Sequence, residues 1–117
     1  MTPSVRIVAA GVTSVVGTFS ARNPAVIPAG FDKVCKQMKW DTREMWLKLS
    51  DQRLQWYEAA NGAYVYRNVQ DGQWWIDEPG GMGVYVAPSK SEMPPMAGWQ
   101  PLQGAAAPLP TLEVTHD

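Results

Sequence analysis

A chain of 117 residues with a formal net charge of −1 is long enough for one domain with a single modest core. Its balanced charge gives no global field that would attract nucleic acid or an anionic membrane, so we expect no nucleic-acid partner. No apolar run approaches the roughly 18 residues of a membrane-spanning helix, and ten glycines with ten prolines favour short strands and turns over a helical bundle.

The N-terminal segment has two strand patterns. In SVRIVA, residues of the two faces alternate, as in a half-buried strand, and GTFSARN over 17–23 has the composition of a second strand. We therefore expect N-terminal strands over 4–23. The fold would then begin at Ser4 and leave no residues for a targeting presequence.

The hydrophobic period changes to that of a helix over residues 30–50. The residues with i, i+3, i+4 and i+7 spacing are Phe31, Val34, Cys35 and Met38. Asp41 followed by Glu44 has the spacing of a capping box and begins a second short helix. Helices this short need support from the sheet, so we predict a helical insertion packed on the strands.

After the helices the chain returns to period two. The pair Asp71-Gly72 is typical of a hairpin turn, because these residues accept a positive φ. The pattern predicts a three-stranded meander over 62–87, a Pro-rich wrap over 88–110 and a final strand over 111–115, which we expect to lie beside the first strand. The predicted fold is α+β: one domain over 1–117, with a small twisted antiparallel sheet of about five strands and two short helices inserted between strands 2 and 3.

Few residues could support catalysis. The one histidine, His116, lies next to the C-terminus, and the one cysteine, Cys35, lies on an apolar helix stripe, as is typical of a small buried hydrophobe. A zinc site of the usual composition needs more such ligands. Asp77 and Glu78 are adjacent on a strand and point to opposite faces, so they are a poor acid–base pair. We expect no enzyme, no cofactor and no metal site.

The aromatic residues are the candidates for binding. Alternation places Tyr64, Tyr66, Trp74 and Ile76 in the core. The aromatic residues that we expect to meet a partner are Trp75, Tyr85 and Trp99. Gln73 and Asp77 share a strand face with Trp75 and would supply polar contacts. The other interpretation of Trp75 is that it covers the second face of a two-layer domain, since aromatic residues bury large areas in small cores.

Four motifs, NGAYVYRN, DGQWWIDEP, GVYVAP and PPMAGW, follow one another between residues 61 and 99. Together they resemble a small Trp/Tyr-rich β module found in uncharacterised proteins of algae and other protists. The resemblance implies a compact scaffold or interaction unit, and it carries no known site residues. There is also a superficial likeness to a WW domain, whose Tyr and Trp hold a polyproline II ligand, but Val65 separates the two tyrosines here.

These observations predict a non-catalytic structural or protein–protein interaction module, an accessory subunit of a larger hetero-oligomeric assembly. The alternative is a ligand-binding module for carbohydrate or proline-rich peptide that uses exposed Trp and Tyr. A single cysteine and no N-glycosylation sequon indicate a reducing, intracellular setting, with the cytoplasm expected and association with an organelle left open.

Overall fold

A computed structural model describes residues 3–116, without the side chain of His116. These residues form one eight-stranded antiparallel sheet that curls into a half-barrel, with two short helices. In chain order the elements are β1 (Pro3–Ala9), β2 (Gly17–Arg22), α1 (Ala29–Met38), α2 (Thr42–Leu49), β3 (Trp56–Ala59), β4 (Tyr64–Asn68), β5 (Gln73–Asp77), β6 (Gly83–Pro88), β7 (Gln100–Pro101) and β8 (Thr111–His116). A 3-10 turn (Thr13–Val15) joins β1 to β2.

The prediction of an α+β fold with about five strands is wrong, because the domain is β-rich and has eight strands. Strand β3 gave no alternating signal: Trp56 and Tyr57 are adjacent and both buried, one on each face of the sheet. Strand β7 has only two residues inside the Pro-rich wrap. Both helices do lie between β2 and β3, and β8 does pair with β1.

One face of the sheet, here called the closed face, bears the larger core cluster. Its central strands contribute Val65, Trp74, Ile76 and Tyr85, and β1 and β2 add Val5, Ile7 and Phe19. Segment 88–110 packs over this face, with Trp99 buried in the same cluster. Because each buried aromatic side chain removes a large apolar area from water, this cluster is the main source of hydrophobic stabilisation.

The opposite face, here called the helix face, is covered by α1 and α2. Phe31 and Cys35 of α1 and Trp46 of α2 pack on Trp56, Tyr64 and Tyr66 of the sheet. Helix α2 begins where the Asp41 carboxylate accepts a hydrogen bond from the Glu44 N–H at 2.8 Å, which confirms the predicted cap. Sheet and helices together thus form a second, smaller aromatic core.

Candidate functional site

Three of the predicted binding residues lie together on β5. Gln73, Trp75 and Asp77 alternate along the strand and share the helix face with their cross-strand partners on β4. The side chains of Gln73 and Trp75 are partly buried, and that of Asp77 is buried. The Trp75 Nε1–H donates a hydrogen bond of 2.8 Å to Asp71 at the hairpin turn.

The other two predicted residues do not face a partner. Tyr85 and Trp99 are 0% and 1% exposed and belong to the closed-face core. The Tyr85 hydroxyl donates to the Ala106 carbonyl at 2.6 Å and accepts from the Val12 N–H at 3.0 Å, so it ties two loops to the sheet. The expectation that these side chains are exposed is wrong, because segment 88–110 packs over the face that carries Tyr85 and buries its own Trp99 in the same cluster.

A cleft of about 240 Å³ lies between the two helices and the sheet. It is called the helix-face cleft below. Its aromatic walls are Phe31, Trp40, Tyr66 and Trp75. Its remaining apolar walls are Val34, Met45 and Leu49. Apolar walls with a small number of polar groups are the usual construction of a ligand or side-chain pocket.

Two close backbone approaches set the shape of this cleft. A Cβ atom on Gly30 of α1 would lie 2.8 Å from the Gly81 nitrogen, so only glycine lets the helix reach the β5–β6 turn. A Cβ atom on Gly83 would lie 2.7 Å from the Trp75 ring. The absence of side chains at these positions holds α1 against one end of the cleft and fixes the plane of the Trp75 indole.

Helix α1 ends in a way that places Trp40 at the cleft. Lys39 has φ 60° and ψ 36°, the left-handed conformation that often ends a helix, and the Trp40 N–H then donates to the Cys35 carbonyl at 2.8 Å. In this motif the residue after the left-handed one packs back on the last helical turn. Trp40 accordingly lines the cleft while 46% of its surface stays exposed.

Asp77 is the unusual polar group of the cleft wall. Its side chain is 4% exposed by residue, and within residues 3–116 its Oδ1 atom has no hydrogen-bond partner. The cross-strand neighbour is Tyr64, whose buried hydroxyl likewise has no partner in that part of the chain. Burial raises the pKa of Asp77 to about 7, although the Tyr64 hydroxyl beside it acts in the opposite direction, because a carboxylate is costly in an apolar setting.

The other polar groups of the wall are already satisfied or neutral. The side-chain Oδ1 of Asn68 accepts from the Gln70 N–H at 2.9 Å, and the side-chain Nδ2 donates to the Tyr66 hydroxyl at 3.3 Å. Cys35 is 2% exposed, and burial raises the pKa of its thiol, which favours the protonated form. Asp77 therefore has the free hydrogen-bonding capacity in the wall.

A larger groove of about 520 Å³ lies elsewhere on the molecule, beside β2 and β3. It is open and polar, lined by Thr18, Ser20, Arg22 and Glu58 among others, and the last two form an ion pair at 3.6 Å. No aromatic residue lines it. Among the residues that the structure describes, no group of three His, Cys, Asp or Glu could hold a metal ion.

Sequence reasoning identified Trp75 and Asp77 but missed the opposite wall. Phe31 and Cys35 were recognised as one apolar helix stripe, and this stripe was the available signal that something on the sheet must receive them. Trp40 carried no periodic signal, because it follows the end of the helix. Gly83 could not be identified, because its role depends on a cross-strand contact with Trp75.

Comparison with family models, curated proteins and solved structures found no match. The resemblance to the algal β module and the likeness to a WW domain therefore stay predictions. Within the described range, no helix has the length and apolar character needed to cross a membrane.

Proposed function

We propose that this protein is a small non-catalytic binding module of a protein assembly and that the helix-face cleft is where it recognises its partner. The observation that carries the proposal is the pairing of apolar, largely aromatic walls with a buried Asp77 carboxyl group whose Oδ1 atom has no hydrogen-bond partner among residues 3–116. A buried polar group without a partner costs free energy. A buried polar group of this kind is expected at a binding site, where a group of the partner molecule supplies the missing hydrogen bond.

Exposed apolar side chains at the cleft support a protein partner. Trp40 lines the cleft and is 46% exposed. Met82, at 56%, lies between two glycines that line the cleft. Single exposed apolar residues are ordinary, but exposed apolar side chains at a cleft that is itself lined by aromatic residues are typical of an interaction surface.

A binding role fits the chemistry of the cleft better than catalysis does. Its titratable wall residues are Asp77, Cys35 and Tyr66, and burial raises the pKa of each of them. A raised pKa leaves the Cys35 thiol a weak nucleophile, and among the described residues Asp77 has no second carboxylate in the wall with which to divide acid and base roles.

The proposal is tested by quantitative co-purification from cells of the source organism, with proteins identified by mass spectrometry. Tagged wild-type protein is compared with Trp40→Ala, which removes a cleft wall, and with Leu109→Ala, which removes a side chain of similar exposure, 42%, from the Pro-rich segment. We expect a set of proteins retained by the wild type and by Leu109→Ala and reduced at least tenfold with Trp40→Ala. The same set at equal amounts in all three would contradict the proposal.

The second candidate is a module for carbohydrate or proline-rich peptide. It is favoured by the partly exposed Trp75 ring, which lies beside Gln73 and the exposed Asp71, a composition suited to stacking and edge hydrogen bonds. Glycan and proline-peptide arrays test it. Binding by the wild type that is lost in Trp75→Ala but kept in Trp40→Ala would favour this function over the first.

A further inference from the structure

We propose that the group received by the helix-face cleft is the alkylammonium side chain of a lysine in the partner protein, with the ammonium at Asp77. This inference rests on the proposed function and adds the chemistry of the contact. It follows from the acceptor at Asp77, the apolar walls and the size of the cleft.

The first element is a buried carboxyl oxygen whose hydrogen bonding is incomplete. The Asp77 Oδ1 atom is buried in the cleft wall and has no well-formed hydrogen bond to any described residue. The neighbouring Tyr64 hydroxyl lowers the pKa of Asp77 as a nearby donor, but it likewise forms no well-formed hydrogen bond in the described part of the chain. No lysine or arginine lines the cleft in the described part of the chain. A cation that enters would supply both the missing charge and the missing donors, and a charge-assisted hydrogen bond is about twice as strong as a neutral one.

The second element is the apolar wall between Asp77 and solvent. Phe31, Trp40 and Trp75 line the same cleft as the carboxyl group, so a ligand must present apolar surface along its length. The four methylenes of lysine do this while the ammonium stays at the polar end. Aromatic faces also attract a cation through their quadrupole, and the attraction is stronger where the cation is desolvated.

The third element is size. The cleft volume of about 240 Å³ exceeds the roughly 150 Å³ of an apolar cavity that holds one benzene molecule and falls below the roughly 300 Å³ at which drug-sized pockets begin. A butylammonium group fits this range. An arginine side chain fits the chemistry less well, because its five N–H donors exceed the acceptors that Asp77 and Tyr64 provide.

The groups that face Asp77 make its response to pH simple. Tyr64 and Tyr66 on β4 and Cys35 on α1 are the titratable neighbours, and the wall residues from α2 and β6 are Met45, Leu49 and Gly83. Burial raises the pKa of both tyrosines and of the thiol, so all three stay neutral near pH 7.

Lysine binding should therefore follow the ionisation of Asp77 alone. The ammonium binds the ionised form, so affinity should fall by up to about tenfold per pH unit below the pKa of about 7. Above that pKa it should be level until lysine itself deprotonates near pH 10.

The experiment is a titration of the purified full chain followed by NMR shifts of the indole N–H signals of Trp40 and Trp75. The probes are the peptide acetyl-Ala-Lys-Ala-amide and its Nε-acetyl-lysine counterpart, which keeps the stem and removes the charge. At pH 8 we expect at least fivefold tighter binding of the lysine peptide, a loss of that preference in Asp77→Asn, and a weaker preference at pH 6. Glu78→Gln is the matched control, since Glu78 adjoins Asp77 but accepts from Ser14 at 3.1 Å, away from the cleft wall.

Three results would overturn the inference. Equal binding of both peptides would show a purely apolar cleft, and failure of both to bind would show that lysine is not the ligand. In each of these cases the co-purification with Trp40→Ala decides separately whether the proposed function stands. Binding of free n-butylammonium tenfold tighter than the lysine peptide would replace the protein side chain with a small amine as the ligand.

Discussion

Both faces of the sheet carry aromatic side chains from the same strands. They differ in how many of their buried polar atoms form hydrogen bonds within the molecule. On the closed face, Trp74 donates to the Ser91 carbonyl at 3.2 Å, Trp99 donates to Pro95 at 2.9 Å, and the hydroxyl of Tyr85 is bonded twice. On the helix face, Tyr64 and Asp77 each keep a buried polar atom that has no partner in residues 3–116.

The difference lies in what covers each face. Segment 88–110 is a continuous chain with backbone carbonyls that reach the aromatic N–H and O–H groups, so the closed face is finished within the molecule. Helices α1 and α2 use most of their backbone groups internally. Apart from the Leu49 carbonyl, which accepts from the Val69 N–H at 2.8 Å just after β4, they meet the sheet mainly through side chains. The helices bury the apolar side chains of the helix face, but among the described residues they donate no hydrogen bond to the Asp77 Oδ1 atom. For this reason we place the proposed binding site on the helix face.

The largest test of this comparison is a pair of neighbouring tryptophans on β5. Trp74 is 0% exposed on the closed face, and Trp75 is partly exposed on the helix face. We expect Trp74→Ala to lower the free energy of unfolding by about 3–5 kcal/mol, because it leaves a large cavity. Trp75→Ala should lower it by about 1–2 kcal/mol, since less apolar area is lost.

Urea unfolding followed by circular dichroism measures both variants under the same conditions. Equal losses for the two substitutions would show that the helix face is as tightly finished as the closed face.

The second test concerns Asp77 and pH. Its pKa is near 3.9 in an unfolded chain and about 7 in the folded one. Between these values the unfolded chain releases a proton that the folded chain keeps, so this residue's contribution to stability falls by up to about 1.4 kcal/mol per pH unit. The loss should total on the order of 2–4 kcal/mol by pH 8 and then stay level.

Asp77→Asn removes this ionisation and keeps the shape. The variant should therefore gain stability relative to the wild type as pH rises from 4 to 8, measured by urea unfolding at several pH values. A constant difference between Asp77→Asn and the wild type over this range would show that the carboxyl group is not held protonated by burial.

Part of the fold could be predicted from local pattern. The alternation in β5 placed Trp74 and Ile76 on one face and Trp75 on the other, as the register confirms. The helix insertion and the Asp41 cap were also predictable, because helical spacing and capping are set by residues close together in the chain.

The rest depends on contacts between distant segments. Tyr85 was predicted to be exposed, but it is buried by the segment that carries Ala106, which is distant in the sequence. Strand β3 was missed because each of its first two residues is buried in a different cluster. The cleft itself could not be predicted: its walls come from two helices and three strands, and Gly83 shapes it by lacking a side chain.

The third test asks how closely the helix-face cleft is fitted to the Trp75 ring. Gly83→Ala places a Cβ atom 2.7 Å from that ring, so the indole must move. We expect a loss of about 1–3 kcal/mol in the free energy of unfolding, as for other overpacked sites, with a shifted Trp75 indole N–H signal in NMR spectra.

Gly80→Ala is the matched control, because a Cβ atom there meets nothing within 4 Å. It should leave both the stability and the indole signal nearly unchanged. If the two glycine variants behave alike, Gly83 does not set the position of Trp75.

The test with the smallest expected effect asks whether the position of Trp40 depends on the side chain of Lys39 or only on its left-handed backbone conformation. Lys39 takes the left-handed conformation with φ 60° where α1 ends, which costs a residue with a Cβ atom about 1–2 kcal/mol. Lys39→Gly removes this cost but increases the entropy of the unfolded chain, so we expect a net stabilisation of about 0.5–1 kcal/mol. Trp40 should stay at the cleft, and its indole signal should not move.

Lys33→Gly, at an exposed position inside α1, should instead cost about 1 kcal/mol. Destabilisation by both variants would mean that the Lys39 side chain contributes more to the helix end than its backbone strain costs.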